Sequence, residues 1–218
     1  RQSQSGEIQE NVVLIAACDC TGHGVPGAMV SVVCSNALNR AVKEFGLTEP
    51  GKILDRTREL VLETFEKSEG EIKDGMDISL ASLAPSKGGI IVKWAGAYNP
   101  LWYVDGGEMK VLSPDKQPIG RTDNPKPFTT HTFTIPSNKE DKAGLIYLFT
   151  DGYADQFGGP KGKKFMYKQL HNLLVENVTR PMQEQARILN EAIESWKGNL
   201  EQVDDILKTG VSINFYMF

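Results

Sequence analysis

The sequence predicts an α+β fold, with antiparallel β-sheets packed face to face and helices on the outside. The predicted elements run in the order strand, two helices, a meander of strands, two helices and a final strand. Short glycine-containing turns join the central strands, which favours antiparallel pairing. The chain has 218 residues, 40% of them hydrophobic, and no repeat or linker divides it. One compact domain with a substantial core is therefore expected.

A buried strand is predicted first, and two helices follow it. The strand is the apolar run at 12–18. Apolar residues then recur with helical spacing over 25–45, which predicts the first helix. Thr48 is expected to cap the second helix, with Pro50 in its first turn. The polar segment 67–75 is expected to be a loop.

Short strands separated by turns make up most of the remainder. Hairpin turns are expected at 85–89 and 105–107 because both segments are rich in turn-forming residues. A polar loop is expected at 137–142, and two helices are expected before the last strand. The strands are predicted at 78–83, 90–95, 101–104, 109–112, 131–135, 145–150 and 206–215.

Composition excludes several classes of protein. The net charge of -4 and the pI near 5.5 argue against nucleic acid as a partner, since binding to phosphate backbones relies on basic surface. No apolar stretch approaches the roughly 20 residues of a membrane span, and no secretory signal is visible. A cytoplasmic protein without membrane insertion is expected.

The three cysteines, Cys18, Cys20 and Cys34, are expected to be reduced thiols, because Cys-x-Cys alone is too sparse for a zinc site.

Acidic residues stand at the ends of three predicted strands. Asp19 and Asp151 each follow a buried strand, and the pair Asp204 and Asp205 precedes the last one. Each acid taken alone also fits an ordinary solvated turn. If the strand ends meet, the carboxylates repel one another unless a cation compensates their charge. Oxygen ligands without His or Cys favour Mg or Mn over zinc. Two such ions, roughly 3.5–4 Å apart, can activate a water toward a phosphoryl group, so the pattern favours a metal-dependent hydrolase.

Six short motifs occur along the chain. The first is Asp-Cys-Thr-Gly-His-Gly-Val-Pro at 19–26, and the others lie at 74–80, 94–101, 117–120, 148–152 and 202–206. In sequence and in order they resemble the stage II sporulation protein E (SpoIIE) type of phosphatase, a bacterial group of the metal-dependent, type 2C-like serine/threonine phosphatases. The resemblance implies two antiparallel sheets packed together and flanked by helices, an α-β-β-α sandwich.

The resemblance also implies roles for individual residues. Asp19 would bridge two Mn(II) or Mg(II) ions, and the backbone carbonyl of Cys20 would be a further ligand. Asp151 and Asp204 match the other metal aspartates, although the sequence leaves open whether Asp205 is the ligand instead of Asp204. The implied reaction is hydrolysis of phosphoserine or phosphothreonine in a protein by a metal-activated water.

The implied partners are a phosphorylated regulatory protein, such as an antagonist of an anti-sigma factor, and upstream sensor or signalling domains. Family members carry a further metal aspartate in a strand upstream of the first motif, and residues 1–7 resemble the turn after that strand. We therefore expect 1–218 to be a single phosphatase domain that lacks its first strand and was excised from a larger signalling protein. Such a chain would bind metal less well and would associate through an open sheet edge. The alternative function is a catalytically impaired phosphatase-like module that binds a phosphoprotein.

Each of the other candidate residues in or near the motifs allows two interpretations of its role. His23 is a candidate general acid for the leaving alkoxide, but a turn histidine bonded to the backbone fits the sequence as well. Asp74 and Asp77 precede a central strand, where one could contact a third metal or both could be solvated loop acids. The glycine- and lysine-rich segment 157–164 could steer a phosphorylated partner or simply be solvated.

Overall fold

The computed structural model describes residues 12–22, 24–66, 75–136 and 144–213, which contain ten strands and five helices. In spatial order, the first antiparallel sheet consists of β1 (Val13–Cys20), β2 (Met76–Ser86), β3 (Gly89–Ala97) and β6 (His131–Pro136). The second antiparallel sheet consists of β10 (Lys208–Ile213), β7 (Gly144–Phe149), β4 (Leu101–Asp105) and β5 (Glu108–Leu112). A small hairpin consists of β8 (Phe157–Gly158) and β9 (Lys163–Lys164).

Helices cover the outer face of each sheet. Two of them pack on the first sheet and two on the second, while a one-turn helix directly follows β7. In chain order the helices are α1 (Gly24–Lys43), α2 (Pro50–Phe65), α3 (Gly152–Asp155), α4 (Tyr167–Glu176) and α5 (Met182–Lys197). No helix in the described ranges is long and apolar enough to cross a membrane.

Three apolar layers hold this arrangement together. One layer lies beneath α1 and α2, a second lies beneath α4 and α5, and the third fills the space between the sheets. Trp94 is completely buried in the middle layer, where its indole N–H donates to Ser79 Oγ at 2.9 Å. The layers are therefore helices, sheet, sheet, helices. The α+β class and the packing of two antiparallel sheets are confirmed.

Some element boundaries differ from the prediction. Glu49, not Thr48, is the N-cap residue of α2, and Glu49 makes no side-chain capping bond. Three helices rather than two separate β7 from β10, because the chain after Asp151 makes one helical turn. The last strand begins at Lys208, two residues later than expected. The predicted loop at 137–142 lies outside the described residues, as does all but the last residue of the loop at 67–75.

Candidate active site

Three carboxylates from distant parts of the sequence meet at one edge of the two sheets. Asp19 lies in β1, Asp151 directly precedes α3, and Asp204 lies in the connection between α5 and β10. One carboxylate oxygen from each lies within 4.8 Å of the other two. Asp205 does not belong to this group. The three acids that the sequence analysis singled out therefore lie close together in space.

Asp77 adds a fourth acid beside this group. It lies directly opposite Asp19 in the antiparallel register of β1 and β2. Burial raises the pKa of Asp77 to about 7, and the charges of Asp151 and Asp19 contribute to the same shift. Asp77 is thus a half-buried strand residue, and its interpretation as a solvated loop acid was wrong. The sequence signal for this placement is the alternation of apolar residues at Met76, Ile78 and Leu80, which extends the strand upstream through Asp77.

Burial first, and repulsion between the acids second, raise the pKa of two of the three carboxyl groups. Burial raises the pKa of Asp19 to about 6, and the charges of Asp204, Asp151 and Asp205 add to the effect, while the Cys20 N–H bond opposes it. The pKa of Asp151 is also raised, chiefly by burial and then by Asp204. An oxygen-only donor set that is destabilised by its own negative charge fits a divalent cation such as Mg or Mn.

Thr150 attaches the strand that precedes Asp151 to the segment that carries Asp204. Its hydroxyl donates to the carbonyl of Asp205 at 2.9 Å and accepts from the N–H of Leu207 at 3.1 Å. Its own N–H donates to the carbonyl of Leu207 at 3.1 Å. This side chain is almost completely buried. Sequence reasoning missed Thr150, because a threonine at a strand end carries no local sign of its partner 55 residues away.

Gly152 allows the same segments to approach closely. A Cβ at this position would lie 2.4 Å from the carbonyl oxygen of Asp205 and 3.0 Å from its carbonyl carbon. Such separations are far inside van der Waals contact, and the obstacle is backbone, which cannot rotate away. The glycine after Asp151 is therefore required by the approach of the Asp204–Asp205 segment.

A second tight turn connects Asp19 to α1. Gly22 has a φ of +95°, and a Cβ on Gly27 would lie 2.5 Å from the carbonyl oxygen of Gly22. Thr21 fastens the turn to the start of β2, since its N–H donates to the carbonyl of Gly75 at 3.0 Å. His23 and Asp74 lie outside the described residues, so their predicted roles remain predictions.

Asp19, Asp204 and Asp205 line an open crevice of about 770 Å³. The start of α1 forms one side of it, and residues 202–205 form another. The lysine-containing hairpin of β8 and β9 lies just downstream of Asp151. Its Lys164 forms an ion pair with Asp155 at 2.7 Å.

Comparison with known proteins assigns the chain to a family. The family model of Stage II sporulation protein E (SpoIIE) matches residues 9–211. A comparison with curated protein sequences finds no match.

Solved structures share the fold. The SiaA-PP2C domain of Pseudomonas aeruginosa is 26% identical, with a TM-score of 0.79 over 92% of this chain and 76% of that one. The PP2C phosphatase domain of SpoIIE from Bacillus subtilis, solved with a fragment of its regulatory domain, is 16% identical, with a TM-score of 0.66. This match covers 94% of the chain but only 56% of the Bacillus one. The serine/threonine phosphatase of S. agalactiae is 14% identical, with a TM-score of 0.62 over 96% of this chain and 90% of that one.

The last two structures show the fold alone, whereas the family match extends from residue 9, before Asp19, to residue 211, beyond Asp204. The chain belongs to the stage II sporulation protein E (SpoIIE) family and has the PP2C phosphatase fold.

Proposed function

We propose that this chain is a metal-dependent protein serine/threonine phosphatase. The observation that carries the proposal is the convergence of Asp19, Asp151 and Asp204 within 4.8 Å on a PP2C fold. We assign these three aspartates and the backbone carbonyl of Cys20 as ligands of two Mn(II) or Mg(II) ions. Asp205 has its carbonyl engaged by Thr150 and is assigned a supporting role.

In this proposal the protein holds the metal ligands in position and forms no covalent intermediate with the phosphoryl group. Divalent ions held at this site would neutralise a phosphate group and lower the pKa of a water that attacks phosphorus. Asp19 and Asp151 are held by strand ends, so their carboxylates need little reorganisation. Thr150 holds the Asp204 segment against the end of β7, which keeps the third carboxylate in reach.

The surroundings of the acids favour a protein substrate. The first turns of α1 line part of the crevice and carry no charged side chain, and the same turns expose Val25, Met29 and Val32. Val203 is exposed on the opposite side, at the crevice lining. Apolar surface of this kind favours contact with a macromolecule over contact with a small phosphate ester. We propose a phosphorylated regulatory protein, such as an antagonist of an anti-sigma factor, as the substrate.

Regulation by a further domain is part of the same proposal. The Bacillus SpoIIE structure includes a fragment of a regulatory domain, and this chain spans 56% of that structure. We propose that 1–218 is one phosphatase domain of a larger cytoplasmic signalling protein.

A phosphopeptide assay tests the proposed activity. With Mn present, the protein is expected to release phosphate from a phosphoserine peptide, and EDTA is expected to stop the release until excess Mn is restored. The binding of the same peptide is measured in parallel by fluorescence anisotropy. Peptide binding without phosphate release at any Mn concentration would refute the enzyme and support a phosphoprotein-binding module.

A pair of variants tests which of the two neighbouring acids, Asp204 or Asp205, is the metal ligand. Asp204→Asn is expected to weaken Mn binding by at least about tenfold, because a carboxylate ligand becomes a neutral amide. Asp205→Asn is expected to change Mn binding by less, because Asp205 lies outside the group of three. Isothermal titration with Mn measures both variants. A larger loss in the Asp205 variant would reverse the assignment.

A further inference from the structure

A cavity lies on the outer side of the second sheet, between that sheet and helices α4 and α5. Its volume of about 410 Å³ falls in the range of roughly 300–1,000 Å³ that is typical of small-molecule sites. None of its described lining residues lines the crevice beside the acids. Most of its buried lining consists of apolar and aromatic side chains, namely Tyr147, Phe149, Leu170, Leu174 and Leu189. The cavity opens to solvent where Gln183, Ala186 and Gly210 are exposed.

A glycine on β10 leaves room for this cavity. Gly210 pairs with Tyr147 in the antiparallel register of β10 and β7. A Cβ at Gly210 would lie 2.8 Å from Met182 Sδ and 3.6 Å from a ring carbon of Tyr147. Met182 and Tyr147 both line the cavity, so a larger side chain at this position would project into the space between α5 and the sheet. The absence of a side chain on β10 therefore keeps the cavity open.

Lys208 is the one charged residue among the described residues that line the cavity. Its side chain is half-buried, and its Nζ lies 4.6 Å from the centre of the Tyr153 ring. In the part of the chain that the structure describes, Lys208 forms no ion pair with a carboxylate. Burial lowers the pKa of Lys208, and the charge of Glu194 opposes that shift only in part. A bound anion would compensate this half-buried positive charge.

The other buried polar side chains of the lining are already hydrogen-bonded. The Tyr147 hydroxyl donates to Gln185 Oε1 at 2.8 Å, and Gln185 Nε2 donates to the carbonyl of Arg180 at 2.8 Å. Neither side chain therefore requires a partner from a ligand. A ligand that matches this cavity has one anionic group for Lys208 and an apolar body for the remaining surface.

We propose that this cavity is a binding site for an amphipathic carboxylate of the fatty-acid type. The carboxylate lies against the ammonium group of Lys208, and the hydrocarbon chain lies between the outer face of β7 and the apolar side chains of α4 and α5, among them Leu170 and Leu174. Burial of each methylene group adds to the affinity, because apolar surface is removed from water. The charge-assisted contact with Lys208 sets the orientation of the chain.

Isothermal titration with decanoate tests the proposal. The metal-free protein is used, so the result does not depend on the proposed phosphatase activity. Saturable binding is expected at decanoate concentrations too low for micelles to form. Decanol has the same hydrocarbon chain without the charge, and it is expected to bind at least about tenfold more weakly than decanoate.

The methyl groups of the methionines show where the ligand binds. Met182 lines the cavity, whereas Met29 is exposed on the surface of α1. In NMR spectra of isotope-labelled methionine methyl groups, the signal of Met182 is expected to shift as decanoate is added. The signal of Met29 is expected to stay in place, which separates binding in the cavity from adsorption to the exposed apolar surface of α1.

Variants test the roles of the charge and of the space. Lys208→Met is expected to weaken decanoate binding at least about tenfold and to leave decanol binding unchanged, because only the charge is lost. Lys168→Met is the matched control, since Lys168 is an exposed lysine of α4 outside the cavity lining, and it is expected to bind decanoate like the original chain. Ala186→Leu is expected to weaken the binding of both compounds, because the larger side chain occupies the mouth of the cavity. Circular dichroism checks the folding of each variant.

Several results would overturn the proposal. They are the absence of saturable decanoate binding, equal affinities for decanoate and decanol, and a shift of the Met29 signal without a shift of the Met182 signal. Equal losses of binding in Lys208→Met and Lys168→Met would overturn it as well. If Lys208→Met fails to fold, the comparison of decanoate with decanol on the unmodified chain decides alone.

Discussion

Replacing Asp19 by asparagine is expected to lower the turnover of the proposed phosphatase at least about a thousandfold. Metal ions supply several kcal/mol of transition-state stabilisation, and each 1.4 kcal/mol corresponds to about a tenfold change in rate. Asp19 is one of three acids whose carboxylate oxygens lie within 4.8 Å of one another, so the substitution removes one of the three carboxylates that we assign as metal ligands. Turnover of a phosphoserine peptide with saturating Mn measures the effect.

The same substitution is expected to leave the fold intact. The ionised carboxylate of Asp19 is opposed by burial and by its acidic neighbours, which raise its pKa to about 6. A neutral amide of the same shape relieves that repulsion, so the melting temperature of the metal-free variant is expected to equal or exceed that of the original chain. Asp105→Asn is the matched control. Asp105 lies in the β4–β5 hairpin, where it forms an exposed ion pair with Lys110 of the kind that contributes little to stability.

Two results would contradict this prediction. Turnover of the Asp19 variant close to that of the Asp105 variant would remove Asp19 from the catalytic group. A variant that fails to fold would show that Asp19 has a structural role instead.

Replacing Gly152 by alanine is expected to lower turnover about a hundredfold, although no carboxylate is changed. The new Cβ would lie 2.4 Å from the carbonyl oxygen of Asp205, so the backbone next to Asp204 must move away. A displacement of roughly 1 Å in a catalytic group is enough for a loss of this size. The segment is exposed and can shift, so overpacking is expected to cost at most about 1–3 kcal/mol of stability. Turnover and thermal melting of the variant measure the two effects.

Gly88→Ala is the control for this substitution. Gly88 lies in the turn between β2 and β3, and a Cβ there meets no atom within 4 Å. The control is expected to keep full turnover and a nearly unchanged melting temperature. If Gly152→Ala behaved in the same way, the close approach of the Asp205 backbone would not be needed for the site.

Local sequence patterns were sufficient to predict several elements of this protein. The apolar runs at 12–18 and 145–150 predicted β1 and β7, because a buried strand must place apolar side chains on both faces. Asp19 and Asp151 were identified as site candidates because each directly follows such a run. The antiparallel meander and the two-sheet architecture followed from turn spacing and from the order of the motifs.

Contacts between distant segments could not be predicted from local patterns. Asp77 joins the acids because it pairs with Asp19 across two strands, and that register is set by the whole sheet. Thr150 contacts a segment 55 residues away, and its short side chain has no periodicity to reveal this. Cys34 was expected only as a reduced thiol, and the packing of α1 places it fully buried in the apolar layer beneath that helix. The pattern of a strand or helix is carried by neighbouring residues, whereas a site forms where distant segments pack together. That packing minimises the free energy of the whole chain, so it cannot be predicted from any one segment.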